Sequence, residues 1–347
     1  MTTYTWKQMH PSADYLFSPN WIPSGGPPGA NDVAEFDAST KTNISIVSAP
    51  ELKIGEWLFN PGATQYNFEI SWDSDLIFLG NGITINAGSV HIFNFGVLDF
   101  KNSATAGATL IDNLSITEFD GTTSAATATI HTSSAGALLT FAFNSTGGSA
   151  ELITDAGGTV DFSFSTGPDG LGHVTAGSIA GAGTYALGGD QLTVGLNGLS
   201  TEASGPIEGS GGSLVKVGPG TLRLSHAGNS YSGGTTLVAG TLDVAAVGAV
   251  GPGAVTFAGH AKLEIENAAL AAHVFGNAID AFARHDILDL AGLKFHAGAT
   301  ATYHHANHHL TVHSGTVTDT LTLNSPQGTH FTVTRDGHGG TDVLLHA

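Results

Sequence analysis

Cysteine is absent from the 347-residue sequence. No disulfide can therefore hold the fold, and no thiol can act as a nucleophile or a metal ligand. Charged residues make up only 11% of the chain, and 10 lysines and arginines stand against 29 aspartates and glutamates, for a formal net charge of −19. Because such a surface repels phosphate groups, nucleic acid and anionic lipid are excluded as favourable partners.

Long apolar runs and helix signals are also missing. No segment approaches the ~20 consecutive apolar residues that span a bilayer, so we expect no membrane insertion of this chain. Residues 1–6 lack both the basic and the apolar region of a secretion signal. The expectation is a mature fragment whose signal has been removed, or export by a route that uses no N-terminal signal.

Glycine, in contrast, is abundant, with 48 residues. Between residues 209 and 244, short apolar segments such as Leu222 and Leu224 alternate with polar residues, which is the pattern of a strand with one buried face. Gly218 and Gly220 flank one of the tight turns between these segments. Such strands cannot bury their apolar faces alone and must stack on neighbours, as in a solenoid; a β-sandwich with glycine-rich turns is the alternative.

The same segment carries a recognisable motif. It reads Gly-Ser-Leu-Val-Lys-Val-Gly-Pro-Gly-Thr-Leu-Arg-Leu at 212–224, Asn-Ser-Tyr-Ser-Gly-Gly-Thr-Thr at 229–236 and Gly-Thr-Leu-Asp-Val at 240–244. This resembles the passenger-associated transport repeat of bacterial autotransporters. The resemblance implies an all-β fold, an elongated, right-handed parallel β-helix (β-solenoid), and a location outside the cell. At ~20–25 residues per coil, about 15 coils are expected.

Four segments are predicted along the chain. Residues 1–42 form an N-terminal capping segment, 43–205 the coils of the solenoid, 206–270 the autotransporter-type repeat that continues it, and 271–347 a C-terminal β module. In the first segment, Trp6 and Trp21 are expected to cover the first coil; a platform that stacks on sugars is the alternative.

Paired phenylalanines recur in the second segment. Phe141 and Phe143 precede Phe162 and Phe164 by about twenty residues, roughly one coil. The spacing predicts aromatic stacking between successive coils.

Histidines form the sharpest chemical cluster. With Ala306 and Asn307 as a two-residue turn, two imidazoles would share each face of a hairpin about 5 Å apart. The candidate transition-metal ligands are His304, His305, His308 and His309, completed by His296 or His313. Exposed polar residues beside a turn are the alternative interpretation.

Residues 339–344, Gly-Gly-Thr-Asp-Val-Leu, which follow Asp336-Gly337-His338, resemble half of the Gly/Asp nonapeptide that binds calcium in parallel β-rolls. Asp336 and Asp342 are the candidate ligands. A single imperfect copy supplies too few oxygens for the ~6–8 ligands that calcium takes. We therefore predict no cofactor, with calcium or a transition metal as the alternatives.

No catalytic residues are identified, because acids such as Asp73, Asp155 and Glu264 stand mostly singly or beside turns and bases are few. We predict that the chain is not an enzyme. The alternative is a carbohydrate-active β-helix enzyme, a polysaccharide lyase or hydrolase, which clustered carboxylates in a groove along one solenoid face would indicate.

The predicted function is that of a structural or adhesive β-solenoid, secreted by a Gram-negative bacterium or held on its outer cell surface. Its expected partners are further copies of itself, or glycans or proteins of a host or matrix surface. Self-assembly is expected through the C-terminal module, because the strands at 321–323 and 343–345 lack an evident cover.

Overall fold

A computed structural model describes residues 1–9 and 12–346. The fold is all-β, with 49% of residues in strands and 2% in helix. Parallel strands stack as the coils of a β-solenoid of about 12 turns, which confirms the predicted fold class. Two compact units are present, Met1–Gly177 with Gly183–Ala186, and Ser178–Ala182 with the chain from Leu187 onward.

Among its described residues, the first unit contains one 3₁₀ turn, Ser18–Asn20, and its regular structure is otherwise β-strand. Its strands are β1 (Thr3–Trp6), β2 (Trp21–Ile22), β3 (Val33–Phe36), β4 (Asn43–Ile46), β5 (Leu52–Phe59), β6 (Gln65–Ile70), β7 (Asp75–Ile85), β8 (Ser89–Asn94), β9 (Val97–Phe100), β10 (Leu110–Asn113), β11 (Ile116–Gly121), β12 (Thr129–Thr132), β13 (Leu138–Phe143), β14 (Glu151–Thr154), β15 (Thr159–Ser165), β16 (His173–Ala176) and β18 (Thr184–Ala186). Strand β17 (Ser178–Ala180), which lies between β16 and β18 in the sequence, belongs to the second unit.

The first unit contains two sheets, and successive strands of the chain belong alternately to one sheet and the other. One has the order β2-β1-β3-β5-β7-β9-β11-β13-β15-β18 and the other β14-β12-β10-β8-β6-β4. The pairs are parallel apart from β1 with β2. Strand β6 illustrates how these strands face the core: Tyr66, Phe68 and Ile70 are buried, and the polar residues between them point outward. Each strand thus contributes one apolar row to the interior.

A column of phenylalanines fills the interior of the first unit. Neighbouring ring centroids lie 4.7–5.1 Å apart with interplanar angles of 3–11°, in the order Phe78, Phe100, Phe119, Phe141 and Phe162. Stacking of Phe141 on Phe162 was predicted and is confirmed. The same prediction for Phe143 and Phe164 is wrong.

Phe143 and Phe164 are 62% and 66% exposed. Phe143 is the last residue of β13 and takes a left-handed backbone conformation with φ of 56°. The register between β13 and β15 also shifts at a bulge, so that Phe164 lies opposite Ala142. Both effects turn the second ring of each pair away from the core.

Trp6 and Trp21 are buried at the N-terminal end of the first unit. Their ring centroids are 5.1 Å apart, and both rings contact Phe36. Trp21 also donates a hydrogen bond from its indole to the carbonyl of Tyr15. Because the two tryptophans are only 1% and 0% exposed, neither presents its ring to a sugar.

The second unit is also built from stacked parallel strands, and its described residues include a 3₁₀ turn, Asn267–Ala269. Its remaining strands are β19 (Gln191–Val194), β20 (Thr201–Ala203), β21 (Ile207–Glu208), β22 (Ser213–Lys216), β23 (Thr221–Leu224), β24 (Thr235–Leu237), β25 (Gly240–Val244), β26 (Val255–Phe257), β27 (Ala261–Ile265), β28 (Val274–Asp280), β29 (Ile287–Leu290), β30 (Thr300–His304), β31 (His309–Ser314), β32 (Val317–Asn324), β33 (Phe331–Arg335) and β34 (Thr341–Leu345). Two sheet orders result, β19-β22-β24-β26-β28-β32-β31-β30 and β20-β23-β25-β27-β29-β34-β33.

Glycines of the repeat mark places where successive turns touch. A Cβ on Gly195 would come within 1.9 Å of the Val217 carbonyl oxygen, and one on Gly218 within 2.0 Å of the Gly195 carbonyl oxygen. Both residues also take positive φ, 109° and 68°. Only glycine meets both conditions without strain.

Lys216 holds these turns together from inside. It is 1% exposed, and its ammonium donates hydrogen bonds to three carbonyls, of Val217 at 2.8 Å, Gly218 at 3.0 Å and Ala239 at 3.2 Å. Burial lowers the pKa of this lysine to about 8. The repeat therefore contains an internal clamp that bridges adjacent coils.

Antiparallel strands finish the C-terminal module. β31 and β30 extend the sheet beyond β32, and β34 and β33 extend the other beyond β29. These strands are not coils, which explains why the solenoid has fewer turns than the about 15 expected. Leu321, Leu323 and Val343 are fully buried. The expectation that the C-terminal strands lack a cover is wrong, since β31 and β33 lie beside them.

Candidate functional site

A groove lies on the outer face of the sheet formed by β4, β6 and β8 in the first unit. Outward side chains are in register across these strands: Asn43 pairs with Asn67, which pairs with His91, and Ser45 pairs with Glu69, which pairs with Phe93. The groove has a volume of about 460 Å³. We call it the sheet groove, lined by Asn43, Gln65, Asn67, Glu69, His91 and Phe93.

The N-terminal segment forms one wall of the sheet groove. β4 is the last strand of its sheet, and its free edge is occupied by residues 13–15. The Ser45 N–H donates to the Ala13 carbonyl at 3.0 Å, and the Tyr15 N–H donates to the Ser45 carbonyl at 2.9 Å. Tyr15 is fully buried, so this wall is anchored in the core.

An apolar ridge follows the same three strands at their carboxyl ends. It consists of Val47, Trp72 and Phe95, which are 49%, 83% and 42% exposed. Each residue comes one or two positions after the end of β4, β6 or β8. Exposed apolar residues that recur on successive coils are typical of an interaction surface.

Hydrogen bonds hold the turn that carries Trp72. The Asp73 carboxylate accepts hydrogen bonds from the hydroxyls of Ser71 at 2.6 Å and Ser48 at 2.8 Å. These hydrogen bonds lower the pKa of Asp73, so the carboxylate keeps its charge to lower pH than an ordinary aspartate. The exposed indole is therefore presented on a fixed turn that bridges two coils. Sequence reasoning missed this residue; a tryptophan between serine and aspartate in a turn is the signal.

The predicted histidine cluster lies on the β30–β31 hairpin. His304 pairs with His309 as expected, but residues 305–308 form a four-residue turn instead of a two-residue one. Asn307 accepts the His309 N–H at 3.2 Å, and His308 takes a positive φ of 61°. The turn therefore includes His305 and His308 in addition to the predicted Ala306 and Asn307.

The imidazoles of the hairpin bind neighbours within the protein. His308 hydrogen-bonds the Tyr303 hydroxyl at 3.0 Å, and His304 hydrogen-bonds the Thr311 hydroxyl at 3.2 Å. Within residues 1–9 and 12–346, no three histidine, aspartate or glutamate side chains are placed so that they could share a metal ion. Metal binding at this hairpin stays a prediction without a built site.

Asp336 and Asp342, the predicted calcium ligands, have different surroundings. Asp336 accepts the backbone N–H groups of His338 and Gly339 at 2.7 and 2.8 Å, and these hydrogen bonds lower its pKa although burial opposes them. Asp342 lies opposite Asp289 across β34 and β29. Burial, with a smaller contribution from Asp289, raises the pKa of Asp342 to about 6.

Asp342 ends a row of charged residues that crosses the sheet from β20 to β34. The row, in register from strand to strand, is Glu202, Arg223, Asp243, Glu264, Asp289 and Asp342. The expectation that acids stand mostly singly is therefore wrong for this face. The sequence hid the row because its members are separated by coils of unequal length.

Two basic residues form ion pairs with acids of this charged row. Arg223 contacts Asp243 at 2.5 Å and also Glu266, and these hydrogen bonds raise its pKa. Lys262 contacts Asp289 at 2.5 Å and Glu264 at 3.0 Å. Burial lowers the pKa of Lys262, but hydrogen bonds to both acids outweigh it and raise the pKa to about 12. The row is thus largely a set of ion pairs.

A second carboxyl pair lies in the first unit. Asp99 and Glu118 are opposite each other on β9 and β11, and burial raises the pKa of both. Lys101 contacts Asp99 at 3.1 Å. Two adjacent carboxyls with raised pKa values can exchange a proton.

Comparison with known proteins gives two findings. Residues 214–244 match the family model of the passenger-associated transport repeat, which confirms the resemblance seen in the sequence. The protein described as "Adhesin BmaC autotransporter" of Brucella suis biovar 1 (strain 1330) is 31% identical over 188 residues, which are 53% of this chain and 5% of that protein. The chain thus spans a small part of this relative's length. No solved structure matches.

Proposed function

The chain carries the passenger-associated transport repeat of autotransporters, and from this premise we propose that it is an adhesive passenger region displayed outside a Gram-negative bacterium. The observation that carries the proposal is the identity of 31% with an autotransporter adhesin over 53% of this chain. A β-solenoid suits this role because stacked coils present long, regular rows of outward side chains.

The surface chemistry of the first unit supports adhesion. The residues of the apolar ridge come directly after the three strands that line the sheet groove, so an apolar contact surface and a row of polar groups belong to the same three coils. Exposed tryptophan is enriched where proteins bind partners, because it offers a large contact area with little conformational freedom to lose. We assign the adhesive contact to this face.

A carbohydrate-active enzyme is the second candidate. The Asp99–Glu118 pair favours it, since two adjacent carboxyls of raised pKa are the groups that glycosidases use. Against it, Lys101 contacts Asp99, and Arg223 and Lys262 form ion pairs with acids of the longer row. The purified chain should release no reducing ends or unsaturated products from pectin or alginate; turnover above about 1 s⁻¹ would establish an enzyme.

Surface display tests the adhesive role. The chain is fused to an unrelated autotransporter barrel and displayed on a non-adherent laboratory bacterium, with an unrelated β-solenoid passenger as the matched control at equal surface density. Attachment to cultured epithelial cells and to extracellular matrix should rise several-fold above the control. Attachment equal to the control on both surfaces would contradict the proposal.

A further inference from the structure

We propose that the sheet groove binds a neutral oligosaccharide. This inference rests on the adhesive role proposed above and names the chemical class of its ligand. It is carried by three features of the same groove: a row of side-chain amides, an aromatic ring beside them, and a low local charge within a strongly acidic chain.

The amide row runs across β4 and β6. Gln65 donates from Nε2 to Asn67 Oδ1 at 3.2 Å, and Asn67 donates from Nδ2 to Asn43 Oδ1 at 2.7 Å. Each amide has two N–H donors and two oxygen lone pairs. These bonds use only part of that capacity, so the row still offers both donors and acceptors to the groove.

Sugar hydroxyls match this arrangement because each hydroxyl also donates and accepts. The amide row fixes the orientation of its members before a ligand arrives, which reduces the entropy lost on binding. Adjacent strands lie ~4.8 Å apart, so equivalent polar groups repeat at a spacing close to the length of one sugar ring. The row can therefore contact consecutive rings of one chain.

The aromatic element of the groove is Phe93, which is half-buried in β8. Its ring centroid lies 4.0 Å from that of His91, and His91 is held by a contact of its Nε2 with Asp112 Oδ2 at 2.8 Å. The Phe93 ring is thus fixed from one side. A pyranose ring has an apolar C–H face, and such a face packs on an aromatic ring by burying apolar surface.

The negative charge of the chain favours neutral ligands over acidic ones in the sheet groove. Glu69 is the one carboxylate that lines the described part of the groove. Asp112, behind His91, contacts both that histidine and His131, at 2.8 and 3.7 Å. Because the whole chain carries a formal charge of −19, uronic or sulfated polymers are repelled over longer distances.

Size favours a small ligand over a protein. The groove volume of about 460 Å³ lies within the ~300–1,000 Å³ of small-molecule sites. A stable protein interface buries about 800 Å² on each partner, mostly on flatter surfaces. If a protein binds this face instead, attachment should survive the glycosidase treatment described below.

The test is titration calorimetry of the purified chain with short neutral oligosaccharides of glucose, galactose and N-acetylglucosamine, and with oligogalacturonate as the acidic comparison. At least one neutral series should bind, and oligogalacturonate should not. Phe93→Ala and Gln65→Ala should each weaken binding at least about tenfold, which corresponds to ~1.4 kcal/mol. Phe164→Ala and Gln191→Ala are matched controls on other strands and should leave the affinity unchanged.

Two results would overturn the inference: no neutral oligosaccharide binds, or binding survives both groove substitutions. Its failure is distinguishable from failure of the adhesive role. If displayed bacteria attach to cells but glycosidase treatment of those cells or the Phe93→Ala change leaves attachment intact, the chain is an adhesin for another ligand. If displayed bacteria do not attach, the adhesive proposal itself fails.

Discussion

Removing one ring from the phenylalanine column of the first unit should destabilise that unit strongly. Phe119 is fully buried and stacks on Phe100 at 4.7 Å and on Phe141 at 5.0 Å, with interplanar angles of 3° and 10°. Phe119→Ala deletes both contacts at once and leaves a cavity between coils that stay fixed by their backbone ladders. Phe119→Leu keeps most of the volume but loses the stacking.

The expected magnitude follows from the buried area. A buried phenylalanine removes ~150–250 Å² of surface from water, and at ~25 cal/mol per Å² this corresponds to about 4–6 kcal/mol. Truncations of buried phenylalanine to alanine in protein cores cost about 3–5 kcal/mol. We expect about 4 kcal/mol for Phe119→Ala and about 1.5 kcal/mol for Phe119→Leu. Phe164→Ala, at a ring that is 66% exposed, should change stability by less than about 0.5 kcal/mol.

Urea unfolding measures the free energies, and hydrogen exchange with mass spectrometry shows where the chain opens. Because a solenoid couples mainly nearest neighbours, protection should fall most in β9, β11 and β13 and little in the second unit. The reasoning is refuted if Phe119→Ala costs no more than Phe164→Ala, or if exchange rises equally along the whole chain.

Three further outcomes are expected. Lys216→Met should destabilise the chain by at least about 2 kcal/mol in urea, because three carbonyls lose their donor; a neutral effect would contradict the clamp. The raised pKa of Asp342, about 6, means that its protonated form stabilises the fold below the ordinary value of 3.8 and that this contribution is lost as pH rises through about 6. Asp342→Asn should therefore gain about 1 kcal/mol at neutral pH and nothing in strong acid; an equal gain at both would show another cause. Trp72→Ser should abolish attachment of displayed bacteria while the thermal midpoint changes by less than about 2 °C, since the ring is 83% exposed. If the variant loses both stability and attachment, unfolding and not loss of the Trp72 contact explains the result, which contradicts the prediction.

The class of fold could be predicted because its signals are local. Alternating burial along β23, where Leu222 and Leu224 face inward, follows directly from residue type, and the glycines at 195 and 218 are required by close contact between turns. Burial of Trp6 and Trp21 likewise follows from their size, and Phe141 and Phe162 stack as their spacing indicated.

The candidate site was not predictable in the same way, because it depends on register. Asn43 and Asn67 are 24 residues apart, whereas Asn94 and Asn113, also on adjacent strands, are 19 apart. Without a fixed repeat length, the sequence does not show which outward residues meet. The same uncertainty hid the charged row that includes Asp289 and Asp342. The C-terminal strands were misjudged because β34 pairs with β29, a strand distant in the sequence, and no local pattern indicates that pairing.

Hydroxyl-radical footprinting during attachment tests the central claim, adhesion through the face formed by β4, β6 and β8. In the free chain, Trp72 and Phe164 are both exposed, at 83% and 66%, whereas Trp6, Trp21 and Trp57 are buried and should resist oxidation. When the chain is bound to cultured cells, mass spectrometry should show a several-fold fall in oxidation at Trp72 and no change at Phe164. Unchanged oxidation of Trp72 in the bound chain, or protection of Phe164 instead, would contradict the account.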